Sequence, residues 1–86
     1  MKEFCYTIKD PVGIHARPAG MLVKEAKLYP DCKIVLEKDG KAAEATKLMA
    51  LMGMGVKCGD TVRVTVEGAQ EEQAAAAMEA FFNEKL

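Results

Sequence analysis

Between Glu3 and Lys9 the chain alternates, with Phe4, Tyr6 and Ile8 on one side and Glu3, Cys5, Thr7 and Lys9 on the other, the two-residue period of a strand with one buried face. The run Asp10-Pro11-Val12-Gly13 ends it. After Pro18 the period lengthens: Ala19, Leu22, Val23 and Ala26 recur at three- and four-residue spacing while Lys24, Glu25 and Lys27 take the other side, so a core-facing helix is predicted, stopped by Pro30. Cys32, Ile34 and Leu36 then alternate with Lys33 and Glu37, and Asp39-Gly40 predicts a tight hairpin, because both central residues of a type I′ turn need positive φ. A short strand from Lys41 to Ala45 pairs back. Thr46 to Gly55 predicts a helix of about two turns, with Thr46 as its cap and glycines at its end. Thr61 to Glu67 is the clearest strand, with Val62, Val64 and Val66 inward. Ala74, Ala77, Met78, Phe81 and Phe82 lie at helical spacing in the final stretch, which has Glu71 and Glu72 near its start and Lys85 near its end, matching the helix dipole.

The predicted order is strand, helix, strand, strand, helix, strand, helix. Four alternating strands imply a sheet with one wet face, and three helices with apolar stripes imply that all of them cover the other. The fold class is α+β, an open-faced two-layer sandwich. Its 86 residues are expected to form a single domain, 1–86, too small for both an enclosed substrate cavity and a cofactor site. Function is therefore expected on the surface.

Twelve basic against thirteen acidic residues, with no Trp and no basic block, argue against a nucleic-acid partner. Cys5, Cys32 and Cys58 are odd in number and widely spaced, as for reduced thiols in a cytosol, and their spacing supplies no metal-ligand pair. No signal segment opens the chain and no run approaches the ~18 apolar residues of a membrane span, so the expectation is a soluble cytoplasmic protein without membrane insertion.

The chemistry concentrates in Gly13-Ile14-His15-Ala16-Arg17-Pro18-Ala19-Gly20, which holds the only histidine. Proline lacks an amide donor and is tolerated only in a helix's first turn, so Pro18 fixes roughly where the helix begins. The boundary has two readings. A residue before proline avoids the α region, which makes Arg17 the cap; counting Pro18 as a later first-turn residue puts the cap at His15. Under either reading His15 stands at the electropositive end, where unpaired amides and the macrodipole favour an anion and Arg17 adds a forked, permanently charged donor. Imidazole, whose ordinary pKa is ~6.5, is neutral and nucleophilic at cytosolic pH, and its phosphoramidate stays reactive enough to hand on. Phosphoryl transfer is mostly positioning and stabilisation of equatorial oxygens. The backbone amides of Ala16 and Arg17, with the Arg17 guanidinium, are assigned to hold those oxygens, with no metal or cofactor needed. The competing reading is a histidine that merely caps a helix.

His15-Ala16-Arg17-Pro18-Ala19, Leu22-Val23-Lys24-Glu25-Ala26 and the Met-rich Leu48-Met49-Ala50-Leu51-Met52, together with the predicted element order, make the whole chain resemble the HPr family, the histidine-containing phosphocarriers of the bacterial phosphotransferase system of sugar uptake. The resemblance implies a sheet in the order 1-4-2-3. It also implies a non-enzymatic, monomeric carrier that takes a phosphoryl group from Enzyme I on His15, through Nδ1, with Arg17 as partner, and passes it to EIIA domains of sugar permeases. An HPr-like regulatory protein, a nitrogen-branch or catabolite-control paralogue whose output is docking, is the alternative. Adaptable thioether side chains suit a surface that fits several partners. Gly20, Met21, Leu48, Met49 and Met52 are therefore the expected partner-binding patch, while the rest of the Met-rich segment packs in the core. Lys24 and Lys27 could meet acidic partner surfaces. Two positions depart from the family pattern: Lys47 occupies the place of the regulatory serine, with Thr46 off by one position, about a hundred degrees of helical rotation, and Val12 replaces a hydrogen-bonding residue before Gly13.

Overall fold

The computed structural model describes residues 1–14 and 16–86; His15 lies outside the described residues. The elements are β1 (Lys2–Thr7), α1 (Ala16–Ala26), β2 (Cys32–Lys38), β3 (Lys41–Glu44), α2 (Leu48–Gly53), β4 (Thr61–Gly68) and α3 (Glu71–Lys85). All strand pairs are antiparallel and the sheet order is β1-β4-β2-β3. Both the α+β class and the 1-4-2-3 order match the expectation.

The two-residue period carries through the register. Phe4 lies opposite Val64, Val64 opposite Leu36, and Leu36 opposite Ala43, so one row of side chains crosses all four strands on the covered face. Val62, Val64, Val66 and Leu36 are fully buried there. The neighbouring row, Cys5, Arg63, Glu37 and Ala42, points the other way. On that wet face Arg63 pairs with Glu37, directly opposite on β2, and with Glu3 on β1, its other neighbouring strand, at 3.5 Å. Opposite charges set across strands support the sheet modestly and keep its open face polar.

All three helices lie over the apolar rows, α3 against β1 and β4, α2 against β3, and α1 against both other helices. Phe82 of α3 is fully buried and meets Phe4, Tyr6 and Phe81 edge-on, with ring centroids 5.8, 5.6 and 6.2 Å away. Such edge-to-face pairs add to the burial of the ring itself. Among the described residues no polar or charged side chain is buried, so the core is apolar throughout.

The Asp39-Gly40 hairpin is as predicted, with φ of 51° and 82°. β1 and β3 end at Thr7 and Glu44, short of the expected Lys9 and Ala45, and the starts of two helices also differ from expectation. Thr46 does not cap α2: the helix starts at Leu48, and its cap position is Lys47, in extended conformation and without a side-chain capping bond. A hydroxyl caps only from the position that immediately precedes the helix, and the backbone bond from the Lys47 amide to the Glu44 carbonyl puts a turn there, one residue later than the sequence suggested. Nor does Arg17 cap α1, which begins at Ala16. Pro18 is its third residue, where an amide has no carbonyl one turn back, so the missing donor costs no hydrogen bond and the helix extends beyond the proline.

Candidate functional site

Between β1 and α1 the chain turns through Asp10–Ile14. The Asp10 side chain accepts a hydrogen bond from the Val12 amide at 2.9 Å, and the Asp10 carbonyl accepts one from Gly13 at 3.0 Å. Gly13 adopts φ of 80°, and its backbone lies so close to the segment before β4 that an added Cβ would sit 2.4 Å from the Val56 carbonyl oxygen and 2.7 Å from the Lys57 Cα. Only glycine meets both demands. The next amide, Ile14, donates to that same Val56 carbonyl at 3.0 Å, and the Ile14 side chain is buried. The turn is thus fixed to the body of the protein up to the residue before His15.

Beyond it, Ala16 and Arg17 form the exposed first turn of α1. Their amides belong to the set that has no carbonyl one turn back, and they carry the positive end of the helix dipole. Among the described residues Arg17 makes no ion pair. It lines a shallow hollow of about 310 Å³ with Asp10, Pro18, Met21 and Lys85. Two cations from opposite ends of the chain, one at the start of α1 and one at the end of α3, therefore border the same surface. The end of α3 is held there because the Leu86 carbonyl accepts the amides of Lys9 and Asp10 at 2.6 and 2.8 Å. Asp10 and Lys85 were not among the candidates from sequence; neither lies in a motif, and only folding brings them to Arg17.

Of the five residues expected to meet partners, Met21, Leu48, Met49 and Met52 are exposed, Met49 most of all at 79%, and Gly20 is half-buried with open space where a Cβ would project. Within the same short segment Leu51 and Met54 are buried. The six-residue helix α2 thus divides its apolar side chains between the core and the surface, and it packs against α1, which carries Gly20 and Met21. Thr46 is half-buried just ahead of α2, and Lys47 is exposed.

Fold and surface together define a small open-faced α+β protein that offers a rigid turn and the positive end of a helix to solvent, next to exposed methionines. A family profile described as the PTS HPr component phosphorylation site matches residues 2–84. Over 80 residues the chain is 39% identical to the phosphocarrier protein HPr of Mycoplasma genitalium, covering 93% of this chain and 91% of that one. It is 36% identical over 85 residues to the HPr-like protein Crh of Halalkalibacterium halodurans, covering 99% and 100%. Two crystal structures from Thermoanaerobacter tengcongensis also match: HPr-C-His, with 39% identity, full coverage of both chains and a TM-score of 0.87, and an HPr dimer, with 38% identity, coverage of 99% and 97% and a TM-score of 0.77. The chain belongs to the HPr family of phosphocarriers of the phosphotransferase system.

Proposed function

We propose that this chain is a working phosphoryl carrier, a single domain acting in the cytoplasm, with His15 as its phosphoacceptor. The Nδ1 of His15 attacks phosphorus on phosphorylated Enzyme I, a P–N bond forms as the bond to the donor group breaks, and the reverse step at an EIIA domain frees the imidazole. Arg17 and the amides of Ala16 and Arg17 receive the equatorial oxygens, with no metal or cofactor on this chain. Gly20, Met21, Leu48, Met49 and Met52 dock Enzyme I and EIIA in turn. The observation that carries the reading is that α1 begins at Ala16, so unpaired amides and an exposed guanidinium directly follow His15 in the sequence. A monomer keeps that patch open to partners.

The test is incubation with Enzyme I and phosphoenolpyruvate. An acid-labile, phosphate-sized mass gain on His15 is expected, absent in a folded His15→Ala variant; phosphate accepted by that variant overturns the assignment. Sedimentation of the free chain as a stable dimer that covers the methionines would overturn the monomeric form. The match to an HPr-like Crh protein favours one second reading, a regulatory protein whose output is docking. That reading gains if the chain binds a target but stays unphosphorylated with active Enzyme I.

A further inference from the structure

The turn that leads into His15 rests on the backbone of Val56 and Lys57, and what holds that backbone comes from the end of β2. Lys38, the last residue of β2, extends its ammonium to the Asp60 carboxylate at 2.7 Å and to the Gly55 carbonyl oxygen at 3.4 Å. One cation therefore contacts both ends of the segment 55–60. The same Asp60 oxygen accepts the Lys57 amide at 2.8 Å, and the Asp60 amide donates to the Lys57 carbonyl at 3.0 Å. Two further backbone bonds tie the segment to the end of the first strand region: Ile8 amide to Asp60 carbonyl at 2.9 Å, and Gly59 amide to Ile8 carbonyl at 2.8 Å. Neither partner of the ion pair is freely solvated, with side chains 18% and 29% exposed. Its geometry is therefore less easily lost than that of a surface pair. The Lys38 hydrogen bond and the Lys57 amide also hold the Asp60 carboxyl below the ordinary aspartate range, as expected for a carboxylate ionised in this role.

We propose that Lys38 and Asp60 are positioning residues for phosphoryl transfer: by clamping the segment 55–60, they set the height of Val56 and Lys57, against which Gly13 and Ile14 seat the phosphoacceptor turn. The proposal rests on the reading of His15 as phosphoacceptor. Neither residue touches the transferred group. They act through a chain of contacts from ammonium to carboxylate, to the Lys57 amide, to the Val56 carbonyl, to the Ile14 amide, and a shift at its far end reaches the residue bonded to His15. In-line transfer is sensitive to such shifts, since a displacement of about 1 Å can cost roughly a hundredfold in rate.

Lys38→Met keeps the unbranched apolar stem, one atom shorter, and removes the charge. Relative to a core amide such as Val64, the Ile14 amide is expected to exchange with solvent roughly tenfold faster in this variant, and turnover with Enzyme I and phosphoenolpyruvate to fall roughly tenfold with KM changed less than about twofold. Lys38→Arg, which keeps the charge, is expected to restore both. If Lys38→Met does not fold, Asp60→Asn, which keeps an acceptor for the Lys57 amide, is read in the same way. Unchanged exchange at Ile14 relative to Val64, or unchanged turnover in a folded variant, overturns the proposal. If the unaltered chain accepts no phosphate, the carrier reading fails, and the Ile14 exchange ratio by itself decides whether the clamp holds the turn.

Discussion

Replacing Gly13 by alanine tests the central piece of the site geometry. At φ of 80° a Cβ costs about 1–2 kcal/mol in backbone strain alone. It would also stand 2.4 Å from the Val56 carbonyl oxygen. Both neighbours are backbone atoms and cannot rotate away, so relief to the roughly 3.5 Å of ordinary contact requires the turn to lift by about 1 Å. The Ile14 to Val56 hydrogen bond, 3.0 Å at present, then stretches beyond bonding range, a loss of about 0.5–1.5 kcal/mol. The reduced freedom of the unfolded chain offsets roughly 0.4–1 kcal/mol, leaving a destabilisation of about 1–3 kcal/mol, readable in a urea titration. The same lift displaces the residue bonded to Ile14, so the initial rate of phosphorylation by Enzyme I is expected to drop by one to two orders of magnitude. Gly53→Ala is the control, since a Cβ there meets nothing within 4 Å. A Gly13→Ala protein within about 0.5 kcal/mol of the parent and phosphorylated at the parent rate would mean that the turn does not rest on Val56 and Lys57.

The division of α2 predicts opposite outcomes for neighbouring residues. Leu51→Ala should cost about 2–5 kcal/mol in urea unfolding, whereas Met49→Lys should stay within about 0.5 kcal/mol and instead raise the KM for phosphorylation by Enzyme I several-fold; a Met49→Lys protein that melts early with normal KM contradicts the division. Phe82→Ala should destabilise by about 3–5 kcal/mol, and a thermal melt shifted by only a degree or two would show that the aromatic cluster is not the anchor of α3. Because the folded pKa of Asp60 is depressed, its stabilising contribution is present above the unfolded aspartate pKa, about 4, and is lost as pH falls through the lower folded value. The difference in urea midpoint between the parent and Asp60→Asn should therefore be largest near neutrality and close in acid; a difference independent of pH contradicts the ionised pair.

The strands were legible because each has one wet face, which writes a two-residue period into Phe4–Ile8 and Val62–Val66. The hairpin was legible because Asp39-Gly40 supplies the backbone conformation that its turn demands. α2 was less so: its core and surface positions are both apolar, so no polar face marks its start, and Thr46 suggested a cap that the backbone places at Lys47. At the site, Gly13 to Gly20 could be read as one run because its parts are adjacent in the chain. The supports could not. Val56 and Lys57 bear on Gly13 through main-chain atoms, which leave no mark on residue identity. Lys38 and Asp60 look like ordinary surface charges until β2 and the start of β4 are brought side by side.

The pairing of β1 with β4 has a consequence for the order of events during synthesis. The first strand is made early, yet its neighbour in the sheet, β4, comes after most of the chain, and closing so long a loop delays the contact that completes the structure. The edge of the sheet that begins the chain is therefore closed late, as a property of the finished molecule.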